Sequence, residues 1–151
     1  MAMSTRSIRS AVLNASLLVL AAMLPPLAGA AEELPQLRPG MWEIKRTVAL
    51  AGSGSKGQLI ENRQCTDPSA NMKKQNELVA KTGCKTSPLS KDGDAYSFTL
   101  ECEIQGVKMQ SKSTITIASD SEYRIDIESQ GGGRGSKEVL MARRVGDCAP
   151  N

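Results

Sequence analysis

Four cysteines are the residues of this chain that are best suited to chemistry, and the sequence contains no histidine to assist them. Cys65, Cys84, Cys102 and Cys148 are isolated from one another and form no C-x-x-C pair. Structural zinc sites typically draw on closely spaced cysteine pairs, and thiol redox centres use the C-x-x-C spacing. The four thiols therefore predict two structural disulfides, with no metal site and no redox centre.

The spacing of these cysteines leaves their pairing open. Cys65 and Cys84 bracket one local segment, and Cys148 needs a distant partner, which favours Cys65 with Cys84 and Cys102 with Cys148. The main alternative is a hairpin that brings Cys84 opposite Cys102. In the loop-entropy model each bridge stabilises the domain by about 3 to 4 kcal/mol.

Other arrangements that could support catalysis are few. Without histidine, no serine or threonine has its usual general base, and lysine is the remaining conventional partner. Two carboxylate pairs lie on polar sides of predicted strands, Glu101 with Glu103 and Asp126 with Glu128. Such pairs act as acid and base in hydrolases, but a solvated strand face has the same composition. We therefore expect no catalytic residue, no enzyme activity and no cofactor.

The first thirty residues have the pattern of a secretory leader. Arg6 and Arg9 precede an apolar run over residues 11–24, and Ala28-Gly29-Ala30 fits the small-x-small site of signal peptidase. An uncleaved anchor is the alternative, but the run is shorter than the ~20 apolar residues that span a bilayer. A lipoprotein would carry cysteine where Ala30 stands, so no lipid anchor is expected.

Cleavage of this leader determines which compartment and which partners we expect for the mature domain. It divides the chain into a signal peptide, residues 1–30, and a single disulfide-stabilised β domain, residues 31–151, which we expect to be periplasmic or secreted and soluble. Loss of Arg6 and Arg9 lowers the formal net charge from +3 to +1. A nearly neutral domain lacks the basic surface of a nucleic-acid binder, so no nucleic-acid partner and no stable membrane anchor are expected.

Alternation of apolar and polar residues predicts an antiparallel sheet. The alternating apolar positions are Trp42, Ile44, Val48 and Leu50; Tyr96, Phe98, Leu100, Cys102 and Ile104; Val107, Met109, Ile115 and Ile117; Tyr123, Ile125 and Ile127; and Val139, Met141 and Val145. Turn signals such as Asp92-Gly93 separate these segments at close spacing. The pattern is typical of an all-β meander that forms a curved or barrel-like sheet.

One short helix is predicted between the first two cysteines. Asp67 can cap its N-terminus, Pro68 suits the first helical position, and Gly83 can end it. Its apolar side is thin and consists of Met72, Leu78 and Val79.

Two glycine-rich segments resemble binding motifs and are interpreted as loops. Residues 52–57 match the letters of the dinucleotide motif G-x-G-x-x-G, but that motif must open a helix, and a strand is predicted from Gln58. Residues 131–135 resemble an RGG segment but contain a single arginine. We expect a flexible hairpin loop at the first segment and a mobile connection at the second.

The chain after the leader resembles a family of exported bacterial proteins known as domain of unknown function 3617. The resemblance depends on Pro39-Gly40-Met41-Trp42-Glu43, on the series Cys65, Cys84 and Cys102 with Tyr96-Ser97-Phe98, and on Arg144-Val145-Gly146-Asp147-Cys148. It implies an export signal and a strand-rich domain, and it implies no activity.

Two binding functions are consistent with these features. A curved sheet could hold a small hydrophobic ligand or a lipid on its apolar face, and Trp42, Phe98 and Tyr123 would then line the site. The favoured interpretation of these rings is that they fill the core, because the chain has so few aromatic residues. The alternative function is an envelope protein-protein interaction module that docks a partner through an exposed edge strand.

Overall fold

A computed structural model describes residues 32–54 and 56–149, so the predicted leader and its cleavage site lie outside the described residues. The strands are β1 (Gly40–Leu50), β2 (Gln58–Thr66), β3 (Lys85–Thr86), β4 (Ser90–Asp92), β5 (Ala95–Ile104), β6 (Val107–Ser119), β7 (Glu122–Gly131) and β8 (Arg134–Gly146), and the helix is α1 (Pro68–Lys81). The predicted all-β fold with one short helix is confirmed. No helix in the described part of the chain has the length and apolar content needed to cross a membrane.

All eight strands belong to one antiparallel sheet in the order β2-β1-β8-β7-β6-β5-β3, and β4 also pairs with β5. β5 to β8 follow one another as a meander, and β8 then lies beside β1. The sheet is curved but not closed, so β2 forms one edge and the two short strands β3 and β4 form the other.

The register divides the sheet into an apolar face and a polar face, because side chains alternate along each strand. The apolar face carries Trp42, Ile44, Val48, Leu50, Tyr96, Phe98, Leu100, Ile115, Ile117, Tyr123, Ile125, Ile127, Leu140 and Ala142. The polar face carries Glu43, Lys45, Glu61, Arg63, Thr114, Thr116, Arg124, Asp126, Glu128 and Lys137. The buried strand residues Trp42, Tyr96, Ile115, Tyr123 and Ala142 all lie on the apolar face.

The helix forms where the sequence predicts it. The Asp67 carboxylate accepts a hydrogen bond of 3.0 Å from the Ala70 amide, and Pro68 occupies the first helical position. Met72 packs against the core. Leu78 is 52% exposed, so its expected packing role is wrong: the helix reaches the sheet mainly through its first half.

The favoured cysteine pairing is wrong, and the hairpin alternative is correct. Cys84 is bonded to Cys102 and Cys65 to Cys148, with Cα atoms 4.4 and 5.4 Å apart. The sheet register explains both bonds. Lys85 pairs with Glu101, which sets Cys84 opposite Cys102.

The second bridge crosses the end of β1. Met41 of β1 pairs with Cys65 on one side and with Gly146 on the other, so Cys148 needs only a short step to reach Cys65. Closeness along the sequence therefore misled the prediction, because strands that are neighbours in the sheet are distant in the chain.

Two further expectations are corrected at β8. The glycine segment before it is a tight two-residue turn, since Gly132 and Gly133 both have positive φ, 56° and 76°, as a type I′ hairpin requires. Within β8, Val139 and Met141 face the polar side, and Leu140 and Ala142 face the core.

Candidate functional site

The apolar face has a filled end and an open end. At the filled end, the first residues of β1 and β7 and the last residues of β8 are covered by Leu37 and by Met72 of α1. At the open end, the β1–β2, β5–β6 and β7–β8 turns lie together, beyond the part of the sheet that Leu37 and Met72 cover. The two ends therefore differ in how much apolar surface they leave available.

Trp42 and Tyr123 form the centre of the filled end. Trp42 is 0% exposed, and its ring lies 5.4 Å from the ring of Tyr123. The Trp42 Nε1–H donates a hydrogen bond of 3.0 Å to the Arg38 carbonyl. Burial raises the pKa of Tyr123, so its phenol is neutral at physiological pH. Both rings behave as packed core residues.

An ion pair separates the two ends on β1 and β8. The Arg46 guanidinium donates two hydrogen bonds, of 2.5 and 2.7 Å, to the carboxylate of Glu138. The Arg46 side chain is half exposed, so its charge reaches water although it lies on the apolar side. Beyond this pair, Val48 and Leu50 lead to the open end.

The open end exposes large apolar side chains. Leu50 at the end of β1, Ile104 at the end of β5, and Val107 and Met109 at the start of β6 are between 44% and 63% exposed. Register places all four on the apolar face. Isolated exposed apolar residues are common on proteins, but a group gathered on one face marks a candidate interaction surface.

A cavity of about 930 Å³ opens at this end of the sheet and is lined by residues of both faces. Cys102 and Met109 line one side of it, and the β7–β8 hairpin contributes glycines at positions 131, 133 and 135. A Cβ atom added to Gly131 would lie 2.8 Å from the Met109 Cγ, so a side chain there would enter space that Met109 uses.

Charged side chains surround the cavity. Lys85, Lys108 and Arg134 contribute positive charge, and Glu101 and Glu103 contribute negative charge. Three cations against two anions produce a weakly basic rim, and Glu101, Lys108 and Gln110 belong to the polar face, so the cavity has both polar and apolar lining. Such a rim suits a ligand with an apolar body and a polar or anionic head.

The three aromatic residues predicted to face a ligand are not brought together. Trp42 and Tyr123 lie in the filled end, where Leu37 and Met72 cover them. Phe98 lies near the middle of β5 and is partly exposed. Its side chain is on the apolar face, between the filled end and the open end. The sequence missed Leu50, Met109 and Gly131 as site residues. Gly131 and Met109 meet only through the register of β6 and β7, so no local signal in the sequence could have found this site.

Asp126 and Glu128 are engaged differently from an acid and base pair. Two hydrogen bonds from Arg124, of 2.6 and 2.7 Å, hold the pKa of Asp126 below its ordinary value. A hydrogen bond from Lys137 lowers the pKa of Glu128 in the same way. Both groups are therefore ionised at neutral pH, and neither is prepared to donate a proton.

Metal binding has no candidate group in the described residues, because no three potential ligands from histidine, cysteine, aspartate and glutamate lie close enough together. The disulfide sulfurs are already bonded to each other. The chemistry that the open end offers is therefore contact with apolar surface and a few charged groups.

Comparison with known proteins identifies the family. Residues 37–148 match the family described as a protein of unknown function, DUF3617. The chain belongs to the DUF3617 family. The match begins at the core residue Leu37 and ends at the disulfide partner Cys148, so it includes α1 and all strands in the described residues of this DUF3617 protein. No curated protein and no solved structure matches the chain.

Proposed function

We propose that this DUF3617 protein is a periplasmic, non-enzymatic binding module that holds a small hydrophobic ligand or a lipid chain at the open end of its apolar face. The observation that carries the proposal is the exposure of Leu50, Ile104, Val107 and Met109 on the apolar face at the end of the sheet where the cavity opens; of these four residues, Met109 lines the cavity itself. Its volume of about 930 Å³ lies within the range of about 300 to 1,000 Å³ that is usual for small-molecule sites.

Covalent structure and sequence support the location. Two disulfides indicate an oxidising environment outside the cytoplasm. The leader pattern over residues 1–30 supports export to the periplasm.

The filled end supports binding by keeping the sheet rigid. Trp42 and Tyr123 pack under Leu37, and both disulfides tie the sheet to the segments that leave it. A ligand at the open end then meets a surface that is already ordered, which reduces the entropy cost of binding. In this arrangement the aromatic residues stabilise the site without touching the ligand.

A hydrophobic fluorophore tests the proposal. N-phenyl-1-naphthylamine fluoresces strongly in apolar surroundings, and titration into the processed, disulfide-intact protein should give a saturable signal. Met109→Glu and Leu50→Glu should each weaken binding about tenfold, because Met109 lines the cavity, Leu50 lies exposed on the same face at the open end, and each variant places a carboxylate on this apolar surface.

The polar face offers matched controls for both variants. Met141 is 50% exposed against 44% for Met109, and Leu59 is 58% exposed against 63% for Leu50, but both controls face the opposite side of the sheet. Met141→Glu and Leu59→Glu should leave the titration unchanged. Equal losses in the four variants, or no saturable signal in the unmodified protein, would overturn the proposal.

A further inference from the structure

The β2 edge differs from the other edge of the sheet. β2 is the outermost strand, pairs with β1 over nine residues without a register shift, and is exposed along its length except at Thr66. The opposite edge consists of the two-residue β3 and the three-residue β4, with Pro88 between them. Of the two edges in the described part of the chain, the β2 edge is the one long enough to accept another strand.

β2 also lacks most of the features that protect natural edges. Proteins blunt such strands with charged side chains, above all lysine, and with proline, bulges or very short lengths. The sequence of β2, QLIENRQCT, contains no lysine, proline or glycine, and its pairing with β1 is continuous. Its charged residues Glu61 and Arg63 cancel in net charge, so β2 does not repel a second copy of itself.

These two charges are placed for self-pairing. Residues directly opposite each other in an antiparallel pair point to the same face of the sheet. Two copies of β2 can therefore pair only in registers that set polar-face residues opposite polar-face residues. With the two-fold axis at Asn62, Glu61 of each copy lies opposite Arg63 of the other, and the charges attract on both sides. An axis at Glu61 opposes two glutamates, and an axis at Arg63 opposes two arginines, which is unfavourable.

We propose that two copies of this chain associate through antiparallel pairing of their β2 strands about a two-fold axis at Asn62. The existing ion pairs of the polar face extend across this junction. Lys45 lies 3.2 Å from Glu61, and Arg63 lies 2.7 Å from Glu43. The paired strands therefore form a row of alternating charge from one copy to the other.

The pairing also closes the assembly at two copies. Once the β2 strands are paired, the free edges of the double sheet are the short β3 and β4 strands of each copy. The apolar faces become continuous, with Ile60 of one copy opposite Gln64 of the other. An isologous contact of this kind consumes the edge that formed it and leaves no site for further growth.

Charge reversal tests the register in the processed, disulfide-intact protein by sedimentation equilibrium. Glu61→Arg and Arg63→Glu should each weaken self-association about tenfold, because each variant opposes like charges at both positions. An equimolar mixture of the two variants should restore association, since each arginine of one variant then lies opposite a glutamate of the other. Glu128→Arg, a charge reversal on the same face but in β7, is the matched control and should have no effect.

Cysteine trapping tests the axis independently of charge. Directly opposed residues in antiparallel strands have Cα atoms about 4.5 to 5.5 Å apart, within disulfide range. Asn62→Cys should therefore cross-link two copies under mild oxidation. Gln64→Cys, on the same strand and face, should not, because its equivalent in the second copy lies roughly 13 Å away along the strand.

Three results would overturn the proposal. The unmodified protein could remain monomeric at millimolar concentration, the mixed charge variants could fail to restore association, or Gln64→Cys could cross-link as readily as Asn62→Cys. The fluorophore titration does not depend on any of these outcomes, so the edge and the cavity are tested separately.

Discussion

Trp42 shows how one residue connects sequence and stability. Its side chain is fully buried against Tyr123 and Leu37, and its Nε1–H is hydrogen-bonded to the Arg38 carbonyl. Trp42→Ala should lower the free energy of unfolding by about 3 to 5 kcal/mol, because it leaves a large cavity. Urea denaturation measures this loss. Met141→Ala, at a half-exposed position, should cost less than about 1 kcal/mol; equal costs would place Trp42 outside the core.

The loss of stability at acid pH can also be traced to an individual residue, Asp126. Hydrogen bonds from Arg124 lower the pKa of Asp126 in the folded protein. A lowered folded-state pKa gives a stabilisation that is complete above the unfolded pKa and is lost as pH falls through the folded one. Arg124→Gln should therefore destabilise the protein at pH 7, and the difference from the unmodified protein should shrink as pH falls below about 4.

Urea midpoints measured from neutral pH down to about pH 2.5 test this dependence, since that window passes through the ordinary carboxyl range. Lys112→Gln, on the neighbouring strand and the same face, provides a control that leaves the Asp126 hydrogen bonds in place. Parallel profiles for Arg124→Gln and the unmodified protein would contradict the account.

At the scale of elements, the N-cap of α1 offers a local test. The Asp67 carboxylate accepts a hydrogen bond from the Ala70 amide. The helix in turn places Met72 against the core cluster that contains Trp42. Asp67→Ala should lower stability by about 1 kcal/mol, whereas Asp67→Asn should lower it much less, because asparagine also caps helices. Thermal unfolding followed by Trp42 fluorescence measures both variants. An equal loss in both would show that the carboxylate has another role.

The two disulfides should contribute unequally. The Cys65–Cys148 bridge spans 83 residues and the Cys84–Cys102 bridge spans 18. Loop entropy gives about 4.5 and about 3 kcal/mol. The double variant Cys65→Ser with Cys148→Ser should therefore be less stable than Cys84→Ser with Cys102→Ser. Peptide mapping without reduction should find these two linkages; a Cys65–Cys84 peptide would contradict the register of the sheet.

Some elements could be predicted from sequence because their signals are local. The alternation around Trp42 and the capping residues Asp67 and Pro68 depend on neighbouring positions in the chain. The inner face of the last strand is harder to predict. Its central residues form a continuous apolar run, Val139, Leu140, Met141 and Ala142, with no alternation to indicate which side chains face the core. The structure assigns the inner face to Leu140 and Ala142 through pairing with β1 and β7.

The candidate site depends on the whole molecule and could not be predicted in the same way. Which end of the apolar face is covered depends on where Leu37 and α1 return to the sheet, and the sequence carries no local signal for this. For Trp42 and Tyr123 the sequence therefore leaves a ligand-facing role open beside a core role, and the structure places both residues under that cover. The disulfide pairing failed for a related reason, since it follows from register between distant strands.

Three methionines provide a direct test of the whole arrangement. Met109 lies at the open end, Met72 covers the filled end, and Met141 lies on the polar face. Selective methyl labelling of methionine and titration with lauric acid can be followed by intermolecular nuclear Overhauser effects. The account predicts contacts from the acyl chain to the Met109 methyl and none to Met72 or Met141. Contacts to either of those methyls, or their absence at Met109, would contradict it.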